Sequence, residues 1–196
     1  GRAWLGEPGA SLLCSLVLRP KLAPARAGAF PLLMGLCVRA AAARHSAAPI
    51  LVKWPNDVMA ADRKLAGVLV ESAVAGIRLG FVVIGIGINV TSHPTAGDLE
   101  LAATSLAELG ARDVERELLL TEVLSELDAR LERFLAHGVT SLLAELARFD
   151  ALRDRPVDVD GRRGIARGVD SEGALLLETE AGVEPTISGT VRLLGA

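Results

Sequence analysis

Aromatic side chains are scarce in this sequence, and tyrosine is absent. Aromatic residues make up 3% of the 196 residues, whereas hydrophobic residues as a whole make up 51%. The core must therefore be built from leucine, valine, alanine and isoleucine. A chain of this length and apolar content can bury one sizeable core and has room for a small second domain.

The sequence also lacks a basic excess, a cysteine framework and a long apolar run. Its formal net charge is −3, which excludes a basic field for non-specific nucleic-acid binding. Cys14 and Cys37 are the only cysteines, and both lie in apolar runs, as is typical of buried thiols in a reducing cytosol. No apolar run reaches the roughly 18 residues of a membrane span, and no signal peptide opens the chain. We therefore expect a cytoplasmic protein with no membrane partner.

Apolar runs of strand length alternate with helical patterns, which predicts an α+β fold. Strands are expected at 10–20, 50–54, 65–72 and 77–90. The last of these is long and nearly all apolar, so we expect it to be buried on both faces.

Four helices are predicted between and after these strands. The first spans 24–45 and is regular only after Pro31. A short second helix is capped by Thr104 or Ser105 and ends near Gly110. A long amphipathic helix covers 113–138, and a last one covers 140–149. The apolar positions with helical spacing in the long helix are Leu118, Leu120, Val123, Leu124, Leu127, Leu131, Phe134 and Leu135.

The character of the sequence changes after Leu152. Short β-prone runs are separated there by DG, DSEG and EAG, which are typical of hairpin turns. We therefore expect two domains, one at 1–151 and a small all-β module at 152–196.

Two lysines, an amide and a carboxylate are concentrated in KWPND and the RKLAG that follows it. Because Pro55 favours an extended preceding residue, we expect the strand to end there, with Asn56 and Asp57 in the turn. Oxygen ligands at such a turn can hold a hydrated Mg²⁺. Lys53 and Lys64, at the ends of two strands, can offset the charge of a triphosphate. The alternative is a structural turn with two solvated lysines.

The second chemical pattern is GIGIN, from Gly85 to Asn89. Glycine weakens a buried strand, so Gly85 and Gly87 need a reason to be there. Close approach of a ligand to bare backbone is one reason, and tight packing within the sheet is the other. The pattern lacks the downstream glycine and helix of a dinucleotide-binding fingerprint.

Together these motifs resemble those of the biotin protein ligases, the biotin–[acetyl-CoA-carboxylase] ligases. The resemblance covers nearly the whole chain and rests on GRAW, PGAS, KWPND, RKLAGVLVE, VIGIGINV and ATSL, followed by GVDSEGALLL. It implies a mixed β-sheet flanked by helices, as in class II synthetases, followed by a small SH3-like barrel. It also implies that a segment before the opening GRAW is missing, including most of a GRGRxGR loop.

The resemblance assigns a role to each matching residue. Lys64 and Arg2 are implied to be catalytic, with Lys64 beside the biotin carboxylate. The residues implied to contact biotin are Lys64, Gly67, Gly85, Gly87 and Trp4. Those implied to lie on the ATP side are Lys53, Asn56, Asp57 and Asn89, with Asp57 and Asn56 also as Mg²⁺ ligands.

The implied activity is ATP-dependent ligation of biotin to a lysine of a biotin carboxyl carrier protein, through biotinyl-5′-AMP. ATP, Mg²⁺ and biotin are the expected small molecules, and the carrier domain is the expected partner. A homodimer is left open, and no DNA-binding domain is expected within this chain. The chemistry needs no protein nucleophile, in keeping with a sequence without a Ser-His-Asp or Cys-His arrangement.

Two other functions stay open. The chain could be a non-catalytic or regulatory biotin-binding fragment, because part of the implied site is missing. It could also be a lipoate-type acyl ligase, although KWPND and GVDSEGALLL count against this reading.

Overall fold

A computed structural model describes residues 4, 6–94 and 102–194 of the chain. The strands are β1 (Ser11–Leu18), β2 (Ile50–Lys53), β3 (Asp57–Ala60), β4 (Arg63–Ala75), β5 (Arg78–Asn89), β6 (Pro156–Val159), β7 (Arg162–Val169), β8 (Leu175–Thr179), β9 (Gly182–Thr186) and β10 (Val191–Leu193). The α-helices are α1 (Phe30–Ala42), α2 (Arg116–His137) and α3 (Leu143–Phe149). Short 3₁₀ helices precede α1 at Pro24–Ala29 and follow α2 at Gly138–Ser141.

The first five strands form one sheet, in the order β1-β5-β4-β3-β2. Neighbouring strands pair antiparallel, and in the described part of the chain parallel pairing occurs only as isolated bridges. α1 lies against β2, β3 and β4, and α2 packs on α1. The predicted α+β fold, a sheet flanked by helices, is therefore confirmed, but the strands described here form an antiparallel sheet instead of the mixed sheet that the resemblance implies.

The core consists of aliphatic side chains between the sheet and α1, as the composition predicts. Phe30 and Phe134 provide a rare aromatic contact in it, edge to face at 5.1 Å between ring centroids. Cys37 is fully buried, and burial raises the pKa of its thiol to about 12, so it is an inert core residue. Both cysteines are free thiols.

The segment Pro24–Ala42 has the length and apolar composition of a membrane-spanning helix. It contains α1, whose side chains fill the core, and 61% of its most apolar window is buried inside the protein. Its hydrophobicity is thus explained by burial against the sheet.

Strand β5 differs from the prediction that both of its faces are buried. Val82 and Ile84 are fully buried, but Phe81 is 39% exposed. Only one face of an antiparallel sheet has to be covered. The long apolar run therefore reflects one covered face and glycines on the other.

The turn after β2 is shorter than the sequence predicts. It comprises only Trp54–Asn56, and Asp57 already opens β3, a strand that the sequence analysis did not identify. This strand begins with Asp57, a residue typical of turns, and only three apolar residues follow it, so the sequence favours a turn here.

The predictions of α1 and α2 are confirmed. The predicted short helix ending near Gly110 and the predicted width of the buried stripe of α2 are wrong. Residues 106–110 form turns instead of a helix, although Ser105 Oγ accepts a hydrogen bond from Glu108 N–H, as a helix cap would. In α2, Leu118 and Leu124 are 51% and 39% exposed, whereas Leu119 is fully buried. The buried stripe of α2 is therefore narrower than the leucine pattern suggests.

Strands β6 to β10 form the second sheet, in the order β10-β6-β7-β8-β9, again antiparallel. This confirms the small all-β module that the sequence predicts after Leu152. A bidentate ion pair joins it to the first sheet, with Arg155 at 2.6 and 3.0 Å from the Asp62 carboxylate.

Asp150 follows α3 at the junction between the two sheets. Its backbone bridges to Val52, and its Oδ1 accepts a hydrogen bond from Leu152 N–H at 2.8 Å. Burial raises the pKa of the Asp150 carboxyl, although the Leu152 hydrogen bond and the Arg153 charge act in the opposite direction. The ionised carboxylate therefore costs stability at neutral pH.

We expect Asp150→Asn to be more stable than the wild type at neutral pH. Because the pKa of Asp150 is higher in the folded than in the unfolded chain, the folded state binds more protons, and stability falls as pH rises through these pKa values. Asparagine keeps the acceptor for Leu152 and removes the charge. The gain in the free energy of unfolding should be smaller at acidic pH, where Asp150 of the wild type is protonated.

Urea denaturation of both proteins at neutral and acidic pH measures this difference. Asp128→Asn, at an exposed carboxylate on α2, is the matched control and should show no comparable gain. A lower stability of Asp150→Asn at neutral pH, or a gain that does not depend on pH, contradicts the account.

Candidate functional site

A cross-strand row of residues runs over the open face of the first sheet. The register pairs Lys53 with Asp57, Asp57 with Gly67, Gly67 with Gly87, and Gly87 with Leu13. Paired residues of antiparallel strands point to the same face. Leu13 is 59% exposed, so this face lies away from the core. The row has charges at one end, bare backbone in the middle and an apolar side chain at the other end.

A β-bulge brings Lys64 to the same face. Lys64 is three residues from Gly67, so in a regular strand the two would point to opposite faces. The register between β3 and β4 shifts between Val58 and Met59, and Met59 pairs with Lys64. At this bulge β4 has one residue more than β3, and Lys64 therefore points to the same face as Asp57 and Gly67.

Asp57 lies between two ammonium groups. Its Oδ1 is 2.5 Å from Lys64 Nζ, and its Oδ2 is 3.9 Å from Lys53 Nζ. Lys53 is 3% exposed and Asp57 is 8% exposed, but the Lys64 side chain is 33% exposed. Lys64 is thus the member of this trio that a ligand can reach most easily.

Each of the three glycines has a different neighbour above its backbone. A Cβ at Gly87 would lie 2.6 Å from the Trp4 ring, so that glycine makes room for the indole. A Cβ at Gly67 would lie 3.1 Å from Lys64 Nζ, so that glycine lets the lysine side chain cross the strand. Gly85 is the open one, because its nearest atoms, in Leu69, are 3.8 Å from the Cβ position.

Segment 102–107 holds the ends of β4 and β5 together. Lys64 N–H donates to Ala102 O at 2.8 Å, and Thr104 N–H donates to Lys64 O at 2.9 Å. Asn89 Nδ2 donates to Thr104 O at 2.9 Å, and Leu106 N–H donates to Asn89 O at 3.1 Å. The fully buried Thr104 therefore positions both Lys64 and Asn89, a role that the sequence analysis missed although ATSL was part of the resemblance.

The two asparagines differ in what their side chains offer. Asn56 Nδ2 donates to Val68 O at 2.7 Å, and Val68 N–H donates to Asn56 O, so Asn56 extends the edge of β4. Asn89 is 2% exposed, and within the described residues its Oδ1 accepts no hydrogen bond. Asn89 thus retains an unused acceptor at the end of β5.

The structure brings most of the predicted site residues together. Those gathered on or beside the row are Lys53, Asp57, Lys64, Gly67, Gly85, Gly87 and Trp4. Trp4 lies over Gly87, and its Nε1 donates to Ser11 Oγ at 3.3 Å. Asn56 and Asn89 lie at the strand ends next to the row. Arg2 lies outside the described residues.

The described residues do not favour a protein-held Mg²⁺ at Asp57 and Asn56. The Asp57 carboxylate is already paired with two lysines, and the Asn56 amide is bonded to the β4 backbone. Among residues 4, 6–94 and 102–194, no cluster of three or more His, Cys, Asp or Glu side chains could hold a metal. Mg²⁺ prefers several oxygen ligands free of such competition.

We expect alanine at Gly85 and at Gly87 to have different consequences. Gly85→Ala has space for its methyl group, so it should keep the folded structure while covering the bare backbone. Gly87→Ala collides with the Trp4 ring and should displace it. Intrinsic tryptophan fluorescence should therefore shift to longer wavelength in Gly87→Ala only, whereas affinity for biotin, the ligand that the sequence resemblance implies, should fall in both variants.

Fluorescence, thermal melting and biotin titration of both variants check this, with Gly28→Ala as control because no atom lies within 4 Å of its Cβ position. Unchanged biotin affinity in Gly85→Ala shows that this glycine does not line the ligand site.

Comparison with known proteins places these features in one family. Residues 1–89 match the Biotin/lipoate A/B protein ligase family, and residues 155–193 match the Biotin protein ligase C terminal domain. The chain is 36% identical to the Biotin–[acetyl-CoA-carboxylase] ligase of Mycobacterium tuberculosis, over 91% of this chain and 67% of that protein.

Two further relatives extend the comparison. The chain is 34% identical to the Bifunctional ligase/repressor BirA of Salmonella typhimurium, over its whole length. It spans 62% of that relative, which is less than two thirds. The biotin protein ligase of Aquifex aeolicus in complex with biotin and ATP superposes with a TM-score of 0.82 at 28% identity, covering 99% of this chain and 82% of that one.

Proposed function

Because the chain belongs to the biotin protein ligase family, we propose that its protein ligates biotin, at the expense of ATP, to a lysine of a biotin carboxyl carrier domain. The observation that carries the proposal is the row on the open face, where two lysines lie next to the bare backbone of Gly67. The related Aquifex aeolicus enzyme has a solved complex with biotin and ATP, which supports the same pair of substrates here.

The proposed reaction has two steps. A carboxylate oxygen of biotin attacks the α-phosphorus of ATP, the bond to the β-phosphate oxygen breaks, and pyrophosphate leaves. The amine of the carrier lysine then attacks the carbonyl carbon of biotinyl-5′-AMP, and AMP leaves as the nitrogen loses a proton. The first step brings two anions together, so a cation at the point of contact lowers its barrier.

Lys64 is the residue proposed to supply that cation. It is the accessible ammonium group of the row, and its contact with Asp57 fixes its position before a ligand arrives. Gly85, on the same open face, is proposed to let the biotin rings lie on the backbone. Trp4 is proposed to border the same ligand, and Arg2 is proposed to share the catalytic role of Lys64.

The ATP side is proposed to comprise Lys53, Asn56, Asp57 and Asn89. The unused Oδ1 of Asn89 is an acceptor suited to a ligand N–H group. Mg²⁺ enters the proposal as the ion that accompanies the ATP phosphates, with no protein ligand set assigned to it.

The remaining proposals concern organisation. We propose a division into a catalytic domain at 1–151 and an SH3-like domain at 152–196, which the second sheet and its family match support.

In the described residues, β4 beyond Val68 pairs only with β5, and this free edge is available to a carrier domain or a second copy in a homodimer. A cytoplasmic location is proposed because both cysteines are free.

Biotin-dependent formation of biotinyl-5′-AMP by the intact protein tests the function. The match to the biotin ligase C-terminal domain favours biotin over lipoate as the acid. Parallel assays with biotin and lipoate, with and without a carrier domain, separate the three functions. Adenylation of lipoate only would support a lipoate-type ligase, and biotin binding without adenylate would support a non-catalytic fragment.

We expect Lys64→Ala to lower the rate of biotinyl-5′-AMP formation by roughly 10² to 10⁴-fold, because it removes the cation at the reacting carboxylate. Single-turnover measurement of the adenylate isolates this step. Lys21→Ala, at an exposed lysine outside the site, is the control. An unchanged rate in Lys64→Ala refutes the assignment of Lys64.

A further inference from the structure

A hydrogen bond joins a turn of the second sheet to the KWPND segment. Trp54 Nε1 donates to the carbonyl oxygen of Gly173 at 2.9 Å, and Trp54 is 3% exposed. Gly173 lies in the turn between β7 and β8, 119 residues further along the chain. A turn of the C-terminal module thus contacts the middle of the motif that carries the proposed ATP-binding residues.

The turn that presents this carbonyl has a fixed conformation. Asp170 Oδ1 accepts hydrogen bonds from Glu172 N–H and Ala174 N–H, both at 2.9 Å, and Gly173 N–H donates to Asp170 O at 3.1 Å. Gly173 has a φ of +91°, in the region that favours glycine. The position of its carbonyl is therefore set by the turn itself.

The same turn fits closely against the first part of the chain. A Cβ at Gly173 would lie 3.3 Å from Val139 and 3.4 Å from Leu32, so the turn faces the 3₁₀ segment after α2 and α1 with little room for a side chain at this position. The turn and the helices around it therefore form one packed unit.

Trp54 connects this unit to the proposed ATP side. It follows Lys53 directly and precedes Asn56 and Asp57 by two and three residues. On its N-terminal side, Ala151 N–H donates to Val52 O at 2.9 Å, which fixes the strand that leads into it. A displaced indole would move the backbone that carries all three ligand-binding candidates.

We propose that Trp54 is a positioning residue, through which the Asp170–Gly173 turn of the C-terminal module holds Lys53, Asn56 and Asp57 in the geometry that binds ATP. This inference rests on the proposed function. It separates the two substrates, because Gly85, the glycine proposed for the biotin rings, pairs with Ser15 and Leu69 and with no residue of KWPND. Loss of the hydrogen bond should therefore raise KM for ATP much more than KM for biotin.

Trp54→Phe in the intact protein is the first test, because phenylalanine keeps an aromatic ring in the core and removes the N–H donor. Asp170→Ala is the second, because it loosens the turn from the other side and changes nothing in KWPND. Each should raise KM for ATP about tenfold, the effect of losing one well-placed buried hydrogen bond. KM for biotin should stay within about twofold.

Arg155→Gln is the matched control. It breaks the bidentate pair with Asp62 and a 3.3 Å hydrogen bond from Nη1 to Ala151 O, but it leaves the Trp54–Gly173 hydrogen bond in place. Both side chains of that pair are at least one third exposed, so its loss should change stability little. KM for ATP should stay unchanged in this variant.

Steady-state adenylation with each substrate varied in turn, with thermal melts of every variant, decides the inference. Equal rises in both KM values, an unchanged KM for ATP in Trp54→Phe and Asp170→Ala, or the same rise in Arg155→Gln would overturn it. A wild-type protein that forms no biotinyl-5′-AMP would overturn the proposed function, and the inference with it. An active wild type with unaffected variants would overturn the inference alone.

Discussion

The candidate site depends on the Asp57 carboxylate between Lys53 and Lys64. A buried carboxylate and a buried ammonium group are each costly without a partner. With Asp57 8% exposed and Lys53 3% exposed, neither charge could remain in this position alone. Lys64, the more exposed of the two lysines, lies next to backbone without side chains. An anionic ligand that can lie flat on a sheet is what such a surface suits.

Strand register, more than any single residue, makes this arrangement. Four antiparallel pairings place residues that are as far apart as Leu13 and Gly87 in one line. The bulge in β4 then turns Lys64 onto the line, and segment 102–107 fixes the backbone on both sides of it. A change of one residue in register would send Asp57 into the core and remove the site.

Much of this organisation could be predicted from the sequence, and the failures have physical causes. The strands, the long helices and the β-module follow from apolar periodicity and turn residues, and KWPND with GIGIN indicated the right region. The sequence did not reveal β3, because the Asn56-Asp57 pair at its start is typical of a turn and only three apolar residues follow. It also did not reveal why Gly87 is a glycine, because Trp4 reaches it from 83 positions away. Thr104 acts through its backbone, which leaves no sequence signal of its own.

The buried apolar cluster is continuous across both sheets and the helices between them. Val157, Leu175 and Val191 of the second sheet belong to the same cluster as Phe30 and Ile84 of the first. Because both sheets contribute to one core, neither can unfold without exposing the core of the other. The two sheets should therefore unfold in a single cooperative transition. The small C-terminal sheet is therefore part of the folding unit, and destabilising substitutions in it should lower the free energy of unfolding of the whole protein.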